Sequence, residues 1–244
     1  MEDVQGYYVD VTEALRRTLR DNVSVFVPPA PSGGPLLAFM IALMDSYRQQ
    51  RPGGSGFSLD DSEETIHRFV EAIKFTYAKR MEIGDPGHID MQNMNDFAIP
   101  GVKNEFGLLP SHVNYIRPGK RPTSSISPLV MTDAQGDVTM VVSGTGAFSI
   151  ITGAAQVVMR ALWMNHTIKE AIDAPRVHHQ LFPDEVLAEP NLDVDVKHGL
   201  KARGHRVSDY SWYGTVVGIS RKPGEIIHAC RDYRPYDISG TDGD

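Results

Sequence analysis

Of 244 residues only one, Cys230, is a cysteine. That excludes an internal disulfide and a cysteine-based metal site, and a lone thiol in a strand-like stretch is read as a small buried hydrophobe. Long apolar runs are missing as well. The best candidate, residues 35–44, falls far short of the roughly 18–20 residues that cross a bilayer, so no transmembrane segment is expected. Basic charge is scarce: 24 Lys and Arg stand against 31 Asp and Glu, a net charge of −7. Without a basic cluster there is no footprint for nucleic acid or an anionic membrane. Residues 1–6 are acidic and show no apolar segment of a signal peptide, so no address is read there and localisation is not legible. No Gly-Lys-Ser/Thr phosphate loop, no Gly-x-Ser-x-Gly elbow and no internal repeat is found. What is present is ordinary for a globular protein with a sizeable core: 41% apolar and 23% charged residues.

The pattern along the chain is that of an α+β layered fold. Residues 23–27 form a β-branched and aromatic run, a strand, stopped by the proline-rich stretch 28–35. A mostly buried helix is expected over 36–50, then a glycine-rich loop over 51–56. Asp61 is the expected cap of the next helix, with Glu64 in the capping-box position. Its apolar stripe is Ile66, Phe69, Val70, Ile73 and Tyr77. Residues 90–119 are loop-rich. Residues 129–131 and 137–142 read as a hairpin around Asp133-Ala134-Gln135-Gly136. Helices follow over 149–164, from a Thr167/Glu170 capping box to Pro175, and over 194–203, closed by Gly204. A second hairpin joins 215–220 to 225–230, and residues 231–244 are expected to fray.

Several stretches bear on chemistry, and each has a plain structural reading beside the functional one. Asp96, near Asn93 and Asn95, holds a substrate ammonium through charge-assisted bonds or closes an Asx turn. Ser124 and Ser125 precede a strand, where small hydroxyls bind a carboxylate or satisfy local backbone groups. Gly146 and Ala147 lie between a strand and a helix, where backbone N–H groups stabilise an oxyanion or merely turn the chain. His178 and His179 are adjacent, which does not put them on one helix face. No second cluster with ligand spacing accompanies them, so no metal is expected. Asn22-Val23-Ser24 and Asn165-His166-Thr167 are candidate glycosylation triplets.

Taken in order, these stretches resemble the γ-glutamyltransferases (glutathione hydrolases). Residues 1–90, with Pro28 to Pro35 and Phe75-Thr76-Tyr77-Ala78-Lys79-Arg80, resemble the C-terminal part of the large subunit. Residues 91–244, with Asn93 to Phe97, Asn104-Glu105-Phe106-Gly107, Pro118-Gly119-Lys120, Ser124-Ser125, Ala174-Pro175-Arg176 and Val177-His178-His179-Gln180, resemble the small subunit. The resemblance implies the Ntn-hydrolase fold, an αββα sandwich of two antiparallel sheets between helix layers, and no metal or organic cofactor. It implies a threonine, freed by self-cleavage, that attacks the γ-glutamyl amide of glutathione and passes the acyl group to water or an acceptor amine. Asp96 then matches the holder of the substrate α-amino group, Ser124 and Ser125 the pair on its α-carboxylate, and Gly146 and Ala147 the oxyanion hole. Asn93 stands where the family has Glu or Gln.

The departures are as informative. In the family the segment with the nucleophilic threonine lies between the two halves, whereas here Asp90 runs directly into Met91. No threonine has the Thr-x-His-x-Ser context, the substrate-binding asparagine has no counterpart, and Ala147 replaces the second glycine. The arginine that pairs with the α-carboxylate would lie ahead of Met1. The expectation is an incomplete sandwich lacking central strands, with apolar sheet faces laid bare. Such a chain binds glutathione or other γ-glutamyl compounds weakly or not at all and does not turn them over. The other readings are a regulatory isoform that pairs with a full-length homologue, and an incomplete sequence of an active enzyme. Family members are extracellular, at the plasma membrane or secreted.

Overall fold

The computed structural model describes residues 9–48, 59–86, 98–103, 109–211, 214–222 and 224–234. The organising element is a six-stranded antiparallel sheet. In the order in which they lie side by side, its strands are β1 (Leu15–Thr18), β2 (Ser24–Val27), β3 (Leu129–Thr132), β4 (Val138–Thr145), β8 (Thr215–Ser220) and β9 (His228–Arg231). The β2–β3 pairing, Val25 opposite Met131, places residues from both sides of the Asp90–Met91 junction in one sheet and one core. A smaller sheet joins β5 (Val177–His178), β6 (Val186–Ala188) and β7 (Val207–Asp209), with β5–β6 antiparallel and β6–β7 parallel.

Helices α1 (Gly34–Tyr47), α3 (Ile150–Trp163) and α4 (Ile168–Asp173) pack on the large sheet, while α2 (Glu63–Arg80) packs on α1 and α5 (Val194–Ala202) on α2. Alternation along the strands fixes which face they cover. Val25, Val27, Leu129, Met131, Met140, Val142 and Val216 point into the core. A Cβ added to Gly218 would meet the end of the Ile168 side chain at 2.7 Å, so any larger residue there makes Ile168 shift. The stripe expected on α2 is buried at all five positions. α3 is buried along residues 150–160 because it is enclosed by β4, β8, α1 and α4.

The opposite face of the sheet carries Val130, Val217 and Ile219, which are 36%, 46% and 45% exposed. Phe26, Val130, Val141, Ile219 and Ala229 stand opposite one another in successive strands, so the uncovered face holds an apolar row running across the sheet.

Local chemistry accounts for most element ends. Thr167 and Glu170 form the expected reciprocal capping box. Gly204 has φ +90°, and with the bonds His205 N–H to Leu200 O and Gly204 N–H to Lys201 O it closes α5 as a Schellman motif. Asp133 Oδ1 accepts from the amides of Gln135 and Asp137, both at 2.9 Å, fixing the β3–β4 turn.

Four expectations need correction. The cap of α2 is Ser62, whose hydroxyl accepts from Thr65 N–H; Asp61 instead meets Arg160 Nε at 2.8 Å, because a buried guanidinium competes better for the carboxylate than one amide does. Strand β9 is His228–Arg231, shorter and later than expected. Cys230 is half-buried at the margin of the core. The C-terminal stretch does not fray throughout: Asp232 and Arg234 are buried in an ion-pair network. Asn22 and Asn165 are exposed, each with φ near +60°.

Candidate functional site

The site is assembled around the last turn of α2. Tyr77 and Arg80 are three residues apart, so both side chains leave the same face. The Tyr77 hydroxyl donates to the carbonyl of Phe148, next to Ala147, and Arg80 Nη2 donates to Ser125 Oγ at 3.2 Å. One helix face therefore holds both the serine pair and the Gly146–Ala147 turn.

The serine pair is clamped to the proline-rich loop by Ser124 N–H to Pro31 O and Gly33 N–H to Ile126 O, each 2.9 Å. A Cβ on Gly33 would lie 2.7 Å from the Ser125 carbonyl oxygen, so the two loops touch only because this residue is glycine. Ser124 Oγ accepts from Ile126 N–H at 3.1 Å, the local backbone bond that small hydroxyls before a strand often make. Both hydroxyls are acceptors in these bonds, which leaves each O–H available as a donor.

Arg80 is a candidate site residue that the motifs did not single out. Among the described residues it has no carboxylate partner, and its Nε is buried without a hydrogen-bond partner. Burial lowers its pKa, with only Tyr77 acting the other way. A half-buried cation beside a serine hydroxyl has the chemistry that pairs with a carboxylate. The signal was in the Ala78-Lys79-Arg80 ending of α2, where a cation also suits the helix dipole, but nothing in the spacing distinguishes it from a solvated last-turn residue.

Strand β4 ends at Thr145 opposite Thr215, and the chain turns sharply at Gly146, φ +120°. Ser149 ties the turn through its N–H and Oγ, both to Gly146 O, at 3.1 and 2.8 Å. Ala147 follows at φ +51°, the left-handed conformation that costs a non-glycine residue about 1–2 kcal/mol. Among the described residues neither the Gly146 nor the Ala147 amide donates a hydrogen bond. Two adjacent free N–H groups at such a turn suit an anion or an oxyanion. Asp96 and Asn93 lie outside the described residues.

Beneath this turn His178 is fully buried, with Nδ1 2.9 Å from Thr152 Oγ1. Its ring lies 4.9 Å from that of Phe148 and 5.5 Å from that of Tyr77. Burial drives its pKa down to about 3, so it is neutral at physiological pH and serves as packing and hydrogen-bond support. Thr152 is itself fully buried, which rules this Thr–His contact out as an exposed nucleophile and base. His179 takes a separate direction: its Nδ1 accepts from Leu181 N–H at 3.0 Å, so Nε2 carries the proton and donates to Asp184 Oδ1 at 3.1 Å. The histidine pair is thus split between two partners rather than converging on an ion.

The γ-glutamyltranspeptidase family model matches the chain in two blocks, residues 1–94 and 89–240. Scoloptoxin SSD14 from Scolopendra dehaani is 28% identical over 313 aligned positions, covering 96% of this chain and 54% of the toxin. A glutathione hydrolase proenzyme from Arthroderma benhamiae is 33% identical over 190 residues, covering 78% of this chain and 32% of the enzyme. The chain thus spans about half of the toxin's length and a third of the enzyme's. The crystal structure of a cephalosporin acylase from Bacillus halodurans superposes with a TM-score of 0.75 over 96% of this chain and 53% of the acylase, at 20% identity. The architecture is the α+β fold of the Ntn hydrolases.

Proposed function

The chain belongs to the γ-glutamyltranspeptidase family, and on that premise we propose that it is a glutamyl-recognising member without a nucleophile of its own. It binds γ-glutamyl compounds such as glutathione and leaves their γ-amide intact. The observation that carries this reading is the junction. The two blocks that match the family meet there, overlapping only at residues 89–94. The alignment with the centipede toxin supports it: 96% of 244 residues is about 234, so roughly 80 of its 313 positions face no residue here. Residues 1–90 then correspond to the end of the large subunit and 91–244 to the small subunit without its N-terminal nucleophile segment.

In this reading Arg80, Ser124 and Ser125 receive the α-carboxylate of the glutamyl group and Asp96, with Asn93 beside it, its ammonium. Arg80 supplies a positive charge beside the serine pair. The Gly146 and Ala147 amides face the γ-carbonyl oxygen. Oxyanion donors accelerate acyl transfer only once something has added to the carbonyl, and in this reading the nucleophile that would add is not supplied by this chain. The purified chain should release no chromogenic leaving group from a γ-glutamyl anilide above the buffer rate. Turnover would refute the loss of catalysis. Glutathione should bind weakly by calorimetry, and Arg80→Met with Ser125→Ala should weaken it about 10–100-fold, the worth of one or two charge-assisted bonds. No heat with the unaltered chain would refute recognition. Sequencing the transcript across the codons for Asp90 and Met91 separates this protein from an ordinary enzyme of the family: an insertion of several dozen residues with a threonine there restores the expectation of activity.

A second reading, pairing with another family chain, is favoured by the uncovered row on the large sheet. An exposed apolar face of this kind marks an association surface. Val217→Lys with Ile219→Lys should turn a self-associating or co-assembled species into a monomer in sedimentation analysis. A monodisperse monomer before substitution refutes the pairing.

A further inference from the structure

The sequence reading found no second cluster with metal-ligand spacing, and the structure corrects that. His67 and Glu71, four residues apart on α2, meet His205, which follows the end of α5. Their ligand atoms lie within 4.8 Å of one another, the one such group of three or more among the described residues. A separation of 138 residues between His67 and His205 hid it. We propose that His67, Glu71 and His205 form a binding site for a divalent transition-metal ion of the zinc class.

Two imidazoles and a carboxylate are a common donor set for such ions, and three protein ligands leave a coordination position for water. His205 is buried, while His67 and Glu71 are half-buried, so the site is anchored yet reachable from solvent. Burial, helped by Arg203 or Lys74, lowers the pKa of both histidines, leaving them neutral, the form that binds metal.

Without an ion, His67 Nδ1 and His205 Nε2 are 2.7 Å apart, the length of a hydrogen bond and shorter than the spacing of two ligands on one ion. Lys74 Nζ lies 3.5 Å from His205 Nδ1 and 3.0 Å from Glu71 Oε1. As a donor it makes Nδ1 the acceptor and leaves the His205 proton on Nε2, directed at His67. Ligation through Nε2 moves that proton to Nδ1, parts the two rings by a fraction of an ångström and releases the Lys74 ammonium. Lys74 therefore competes with the ion for both Glu71 and His205.

The test is calorimetric titration of the tag-free, chelator-stripped chain with Zn2+, and with Co2+ followed by its visible ligand-field bands. One ion per chain is expected. Lys74→Gln should tighten binding on the order of tenfold by removing a cation a few ångströms from the ion. Glu71→Gln and His205→Ala should each weaken it at least as much, and His198→Ala, on the exposed side of α5, should leave it unchanged. No heat with Zn2+ from the unaltered chain overturns the proposal, as does binding that Lys74→Gln and His67→Ala leave untouched. If His205→Ala fails to fold, those first measurements decide alone.

Discussion

Asp232→Ala should destabilise the protein by about 3–5 kcal/mol, a large share of the 5–15 kcal/mol typical of a whole domain. Arg176 and Asp232 have side chains with no exposure and an ion-pair distance of 2.7 Å. Arg234 meets Asp232 Oδ1 at 3.0 Å and grips Glu189 through two bonds of 2.5 and 2.6 Å. Glu189 also accepts from Arg176 N–H at 2.9 Å, and Asp232 Oδ2 accepts from Val216 N–H at 3.0 Å. Two cations and two anions are thus balanced inside the protein, tying β8 and the chain after β9 to the start of β5. Removing one anion leaves a buried guanidinium uncompensated, and that cost exceeds any gain from the pair itself. Urea unfolding measures it. A change below 1 kcal/mol would mean that water reaches the network.

The same carboxylate gives a pH dependence. Burial would raise the Asp232 pKa, but Arg176, the amides of Arg234 and Val216, and the Arg234 charge outweigh it and hold the group below its usual range. A depressed folded-state pKa adds stability that is fully present above the unfolded value, about 3.9. It is lost as pH falls through the folded value. Asp232→Asn should remove that slope from the acid side of the stability profile.

Gly146→Ala should cost about 3 kcal/mol, from backbone strain and overpacking together. At φ +120° an alanine is strained, and its Cβ would lie 2.3 Å from the Cα of Gly214, which is backbone and cannot swing aside. Its neighbour should respond in the opposite direction. Ala147→Gly relieves a left-handed alanine at φ +51° and should stabilise by up to about 1 kcal/mol, the relief being partly offset by a more disordered unfolded chain. Thermal unfolding of the two variants checks the pair, and equal shifts of the same sign would contradict the turn geometry.

Gly146 shows why the site was only partly legible. A bare Gly-x-Gly between a strand and a helix does not say which residue takes a positive φ or which amides are free. Both followed from how β4 ends against β8 and from Tyr77 reaching the Phe148 carbonyl across 71 residues of chain. The stripe on α2 was legible because it is set by a 3.6-residue period, and the Thr167/Glu170 box because it is closed by groups three residues apart. Asp61 misled because the decisive partner, Arg160, comes from another helix.

The sequence by itself determined the family, through several motifs in a fixed order, and that its two family blocks meet at the Asp90–Met91 junction. It also set the amphipathic helices and hairpin turns, whose causes are local. Only the tertiary structure decided that Arg80 stands against Ser125, that Arg176, Glu189, Asp232 and Arg234 neutralise one another, and that His67, Glu71 and His205 share one corner. Those arrangements depend on charge and burial summed over elements far apart in the chain, and no local pattern encodes the distance between two groups that only packing brings together.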